Sequence, residues 1–477
     1  MKSLLSKLIK HKGLAAFALT PLSLAPLAQS EIDKSGYLEA EFRYYPSEAL
    51  FENQDRFFYS LGIAPELEWT SDDETHQVTF KPFGRFSSSE GNRSHADIRE
   101  FYYLYAGTGW QIEAGINKVY WGVAESAHLV DVINQTNVVE AFNGEEKLGQ
   151  PLIGLGLENA YGNFDFYVLP YFRKRELTTY DEPYLVSLPG LDRPLDIDED
   201  KVLFESKNKE SNIDLAARWA QSFNDLDVAI SVFHGIDREG LIVPATLNEE
   251  SLGTDLSEIF LNDQLTPEQK ELANTGALFA NLDAIALYYQ NLTQIGLELQ
   301  YLYDDLIFKF EGTSKYQTKG NYLSYVTGIE YTFADVDMLF GADAGILVEY
   351  LWNNRKDIDL TEEALELTNL EAIIGPDQVQ GKRLPPMQGN LFSPFENDVF
   401  IGTRFNLNNV DSTQFVAGII HDLESHTQLS TFVGSPRIGD SVRISINAYF
   451  LTNVEKNSAL YYSRRDDMIE FKTAWFF

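Results

Sequence analysis

Runs of about ten residues, apolar at every second position and mostly charged or polar between, constrain this chain more than any other feature. Ser441 to Leu451 is the clearest: Val442, Ile444, Ile446, Ala448 and Phe450 share one face, and Arg443, Ser445 and Asn447 the other. Asp398 to Leu407 sets Val399, Ile401, Phe405 and Leu407 against Asp398, Arg404 and Asn406. Gln294 to Tyr301 sets Ile295, Leu297, Leu299 and Tyr301 against Gln294, Glu298 and Gln300. Successive side chains of a strand point to opposite faces, so each run has one apolar and one polar side. The polar sides carry too much charge for a packed interior. Lipid on one side and a wet lumen on the other suits both.

Eighteen such runs can be placed between residues 36 and 477, among them 110–120, 154–160 and 284–303. Their spacing has a parity: the connections after even-numbered runs are short, as at Tyr161-Gly162, Asn224-Asp225 and Asp304-Asp305. All the long ones, near 121–153, 174–212, 238–283 and 355–397, follow odd-numbered runs. Membrane barrels alternate short periplasmic turns with longer external loops in this way. The expected fold class is therefore all-β, a transmembrane antiparallel β-barrel of about eighteen strands. A count of sixteen also fits, because boundaries read from one sequence shift by several residues.

Residues 1–30 read as a signal peptide: Lys2, Lys7, Lys10 and Lys12 precede an apolar run from Gly13 to Leu27, then Ala28-Gln29-Ser30. Residues 31–477 would form the barrel. The apolar run is short of the roughly 20 residues a spanning helix needs, and no later segment approaches that length. With no cysteine, disulfides and thiolate metal sites are excluded, and the seven histidines make no metal-ligand spacing. Neither a metal nor a cofactor is expected. Lysine and arginine number 37 against 72 aspartates and glutamates, a formal charge of −35, which argues against nucleic acid as a partner. The acidic excess makes either a solvated surface or external loops that attract cations, or lipopolysaccharide through divalent ions. The 32 Phe, 25 Tyr and 6 Trp cluster at the edges of the runs, as interfacial girdles do. Met468 to Phe477 ends on an aromatic face of Phe471, Trp475 and Phe477, resembling the C-terminal strand signal of outer-membrane barrels.

One stretch breaks the pattern. Trp121 to Pro151, WGVAESAHLVDVINQTNVVEAFNGEEKLGQP, is the third external loop by count. Ser126 can cap a short helix reaching Val132 or Ile133, whose apolar side of Leu129, Val130 and Ile133 would pack on the inner wall. Glu125, Asp131 and Glu140 would then face the lumen, with His128 beside them and Lys118 just before the loop. Rings of such charge set ion selectivity. By alternation, Arg99, Arg218, Lys309, Arg404 and Arg443 line the lumen wall. Equally frequent lumen carboxylates, such as Glu41, Glu298, Glu311 and Glu349, would pair with many of them. Two helices are expected in the longer loops, from Pro267 into Ala277 and from Leu360 to Ile374.

The loop wording from Tyr120, with SVFHGIDR (231–238), QIGLELQY (294–301), ILVEYLWNNR (346–355) and FENDVFIGTRFNLNN (395–409), resembles uncharacterised porin-like β-barrel proteins of Gram-negative outer membranes. The third loop of general porins folds inward and forms the constriction, and the same is expected here by position. The resemblance implies no more than a porin-like barrel; the expected function is passive diffusion of small solutes across the outer membrane, filtered at residues 121–151. A substrate-specific uptake channel for an organic solute, or a non-conducting adhesion or structural barrel, are the alternatives. A homo-oligomer is compatible with the trimeric state of general porins. No enzymatic activity is expected: Ser126, His128 and Asp131 are too close in sequence for a triad, whose base must stand between the other two groups.

Overall fold

The computed structural model describes residues 32–50, 54–89, 92–141, 144–177, 195–248, 251–252, 255, 280–336, 342–356, 358–368, 396–407, 413–455 and 459–477. Nineteen strand segments form one sheet; Gln428–Ser435 and Arg437–Ile438 are two pieces of one strand broken at Pro436, which leaves eighteen. In chain order they are Ile32–Tyr44, Phe57–Thr70, His76–Ser87, His95–Gly107, Trp110–Asn117, Gln150–Asn159, Gly162–Leu169, Asp214–Phe223, Leu226–Ile236, Asn291–Tyr303, Leu306–Gln317, Tyr322–Val336, Ala342–Asn353, Asn397–Asn406, Gln414–Asp422, the broken strand, Val442–Thr452 and Met468–Phe476. Each pairs antiparallel with its sequence neighbours. The first closes on the last from Tyr37↔Phe476 to Tyr44↔Ile469, so the barrel has no edge.

The two faces explain the alternation. Ile230, Val232, Ile295, Leu297, Ile329, Ile346, Val348, Ile401 and Ile419 point outward and stay exposed, a surface that only lipid can cover. Phe57 and Tyr59 ring one rim, and Tyr161, Phe223, Trp475 and Phe477 the other. This is the exterior of an outer-membrane barrel. Two of the tight turns need a left-handed residue, met by Asn224 at φ 53° and Asp304 at φ 51°. With short turns periplasmic, both strand ends Ile32 and Phe476 lie at that side, and the third loop opens outward as expected.

Two expectations change. The run 284–303 is two strands, Leu282–Tyr289 and Asn291–Tyr303, and only the second belongs to the barrel. The first pairs antiparallel with Leu241–Leu247 and in parallel with Asp196–Ile197 and Leu203–Phe204, building a four-stranded sheet at the external mouth. Its dry core includes Phe172, Leu195, Ile236, Leu252, Ile285 and Tyr289, which explains why the run loses its polar face before Gln290. The helix expected from Leu360 is present as Thr361–Thr368, its Ala364 packed with Leu241, Val243 and Tyr288. The rest of that segment, the expected Pro267–Ala277 helix and the signal peptide lie outside the described residues.

Candidate pore constriction

The fifth strand stops at Asn117, not at residue 120, because the side chains of Asn117 and Asn134 accept the next two backbone N–H groups, those of Lys118 and Val119. From there the third loop turns into the lumen. No helix forms among its described residues, contrary to the capping expected of Ser126. The N–H groups that a helix would have left free at its start are taken by carboxylates of the opposite wall. Glu311 accepts from Val123 at 2.6 Å, Ala124 at 2.8 Å and Val130 at 3.4 Å. Glu349 accepts from Glu125 at 3.0 Å and Ser126 at 2.8 Å, and also holds the Ser126 hydroxyl. Both carboxylates are fully buried. Bonds to a charged acceptor are worth more than the neutral bonds of one helical turn, so the extended path wins. Gly122 permits it: its φ is +130°, and a Cβ there would stand 2.7 Å from Glu311 Oε1.

The other arm of the loop is tied on the far side. Glu140 lies in a buried cluster, bonded to Arg85 at 2.7 and 2.8 Å, with Arg99 at 3.4 Å and His95 at 3.5 Å. Arg43 Nη2 donates to the Glu140 carbonyl at 2.9 Å, and Arg93 to that of Val139. These anchors come from the first, third and fourth strands and their connecting loop, while Glu311 and Glu349 come from the eleventh and thirteenth. In a ring of eighteen, those two groups face each other across the barrel. The third loop is thus a strap across the lumen. Between its anchors, Trp121, Val130, Val132 and Ile133 pack with Leu152, Leu169, Ala216, Phe233 and Leu292, closing the side of the sixth to tenth strands. Ala124, with Ala127 and Leu129, packs on Val326, Leu347, Leu351, Phe400 and Ile420. Lumen-facing groups of the fourteenth to eighteenth strands, Arg404, Thr431, Arg443, Asn447 and Lys472, keep partial exposure.

The expected site residues divide accordingly. Glu125 is not free: it bridges Lys309 at 3.1 Å and Arg404 at 2.8 Å, with a third of its side chain exposed. Burial alone would raise its pKa, but those two cations outweigh burial and lower it, so it stays ionised. Asp131 does not face the lumen; its carboxyl is buried 3.2 Å from Lys147, and burial raises its pKa. Glu140 is likewise buried; burial opposes its ionisation, yet Arg85 prevails and brings it to about 2. His128 sits 2.8 Å from the Tyr120 hydroxyl and 3.5 Å from Glu145; burial lowers its pKa, and Glu145 more than offsets this to leave it raised. Lys118 pairs at 3.5 Å with Glu146 of its own loop and not with the opposite wall. On the wall, Arg99 lies 3.6 Å over the Phe83 ring, Arg218 forks onto Glu298 at 2.9 Å, and Lys309 also meets Glu330 at 2.8 Å. Arg443 stands 5.5 Å over Phe476, away from the strap. Pairing across strands thus takes up most of the lumen cations, as charge inside a membrane protein usually requires.

The anchors were missed as such. Glu311 and Glu349 read as ordinary lumen carboxylates, and Arg93 lay in a loop; each meets the strap across 46 to 224 residues of sequence, which no local spacing encodes.

No family model and no curated protein matches the chain. Among solved structures it is similar to Wzi, an outer-membrane protein involved in group 1 capsule assembly in Escherichia coli and a carbohydrate-binding β-barrel. Identity is 11% over 94% of this chain and 85% of that one, with a TM-score of 0.46. It is also similar to a mutant of the Rhodopseudomonas blastica porin, at 8% identity over 94% of this chain and all of that one, with a TM-score of 0.38. With so little sequence in common, the strand count and register of this chain define its fold.

Proposed function

We propose that the protein is an outer-membrane channel for passive diffusion of small solutes, and that the passage runs between the strap and the fourteenth to eighteenth strands. The observation that carries this reading is the strap itself, pinned to facing walls so that one side is packed shut while charged groups on the other stay accessible. Glu125, Glu145 and Glu146 are the strap carboxylates with exposed surface, and Glu113, Glu158, Asp165 and Asp227 face the periplasmic half of the lumen by alternation. Arg404, Arg443 and Lys472 lie on the wall side of the passage, but these seven carboxylates outnumber them, and a net negative water path raises the local concentration of cations, so cations should pass more readily than anions. Planar-bilayer recordings of the purified protein in a salt gradient test this. A cation-sided reversal potential that moves toward zero in Glu125→Gln is expected, and an anion preference would contradict it.

A second reading, a barrel whose work is done by its external loops, is favoured by one feature: the mouth sheet with its own apolar core around Phe172 and Tyr289. A protein that inserts fully into bilayers yet passes no current would support that alternative.

A further inference from the structure

The lumen wall opposite the strap changes character along one register row. Arg404 pairs with Val416, Val416 with Val433, and Val433 with Asn447, across the fourteenth to seventeenth strands. The alternation that sends Ile401, Ile419 and Phe432 outward sends these four inward, and all four are partly exposed. A wet lumen is normally lined by polar groups, so two adjacent valines are out of keeping with their surroundings. Above them Gly402 faces Gly418, and the Phe400 ring lies over both, so the apolar strip runs on to Gly418, where Thr431 borders it.

A guanidinium ends the row. Arg404 has a third of its side chain exposed; its Nη2 holds Glu125 at 2.8 Å, while its Nε is buried with no hydrogen-bond partner. Glu125 belongs to the strap and not to the wall. Its other partner, Lys309, is separately met by Glu330 at 2.8 Å and does not need it for neutrality. The cation therefore holds a tethered carboxylate, and its strand position is next to the partly exposed Val416.

We propose that Arg404, Val416 and Val433 form a subsite for solutes that join a carboxylate to a small apolar body, with Glu125 as its resident competitor. The guanidinium fork matches a carboxylate in shape and charge, and the valines supply the contact that an inorganic anion cannot use. An amide of the same outline keeps the apolar contact and loses the charge-assisted bonds. The subsite rests on the channel reading only for the route by which a solute arrives.

The test titrates benzoate and benzamide, alike in shape and different in charge, into the full-length barrel in detergent by calorimetry. Benzoate is expected to bind more tightly than benzamide. Glu125→Gln removes the competitor and should tighten benzoate about tenfold or more, the equivalent of one hydrogen bond to a charged group, without moving benzamide. Arg404→Gln should level the two probes, and Arg404→Lys should keep a weakened preference. Should Arg404→Gln fail to fold, the Glu125→Gln arm decides alone. Equal binding of the two probes, no binding of either to Glu125→Gln, or a benzoate preference that survives Arg404→Gln overturns the subsite. Calorimetry needs no current, so a silent bilayer would count against the channel reading alone. Conductance without a benzoate preference would count against the subsite alone.

Discussion

Replacing the two wall carboxylates that hold the strap should release its outer end. In the Glu311→Gln, Glu349→Gln double variant the wall keeps its shape, but each site loses its charge and presents an amide N–H₂ where the strap offers only donors. Glu311 and Glu349 together accept four backbone N–H bonds of 3.0 Å or shorter and the Ser126 hydroxyl. At about 1.5–3 kcal/mol for a bond to a charged acceptor, and with one carbonyl acceptor surviving at each site, the loss is roughly 2–4 kcal/mol per site. A change of 1.4 kcal/mol is about tenfold in an equilibrium, so each substitution should raise the population of detached strap by about 30-fold or more. Single-channel recording reads this directly, as a larger mean conductance with open-channel noise from strap excursions. Glu298→Gln is the matched control: it removes a buried lumen carboxylate that is held by Arg218 at 2.9 Å and bonds to none of the described strap residues. Unchanged conductance and noise in the folded double variant, or equal noise in the control, would refute the idea that these carboxylates fix the strap.

Three further outcomes follow from the same geometry. Glu140 is brought from 4.5 to about 2, so its contribution to stability is complete above about pH 4.5 and is lost as pH falls toward 2. By linkage that contribution is about 3 kcal/mol, and the heat-unfolding midpoint should drop over that window by less in Glu140→Gln than in the wild type, because other paired carboxylates such as Glu239, held low despite burial by Lys315 and Arg355, still titrate. His128 titrates above its ordinary 6.5, with Glu145, Glu311, Asp131 and Tyr120 around it. It should gain positive charge as pH falls through that raised value; cation preference should weaken over the same range, and His128→Asn should remove the dependence. Tyr289 is fully buried in the mouth core, where it accepts from the Arg175 N–H at 3.0 Å. Tyr289→Ala should cost that core about 3–5 kcal/mol and speed proteolysis between residues 195 and 248 while the barrel's heat-unfolding midpoint holds.

Much of the barrel is legible in the sequence because lipid and water impose a strict two-residue period, and Val442 to Phe450 or Ile295 to Tyr301 need no distant partner to reveal their faces. Loop parity was equally readable, since turns such as Asp304-Asp305 are local. The strap's inward path was readable only by position. Its conformation was not: Ser126 has the chemistry of a helix cap, and only the arrival of Glu349 from 223 residues away decides that its N–H and hydroxyl go to the wall. Glu140 is a further case, its charge spent on Arg85, 55 residues away, while Asp131 meets Lys147 of its own loop. Leu282 to Tyr289 misled for another reason. It is a real strand, but its partners are loop residues at the mouth, and its direct continuation into the alternating run from Asn291 hides the break at Gln290.

Conductance of the purified protein in a planar bilayer under a salt gradient bears most directly on the claim that the strap narrows an open path. Steady current with a cation-sided reversal potential, moved toward anions by Glu125→Gln, is the expected result. Full insertion with no current, or a reversal potential indifferent to Glu125, would contradict it.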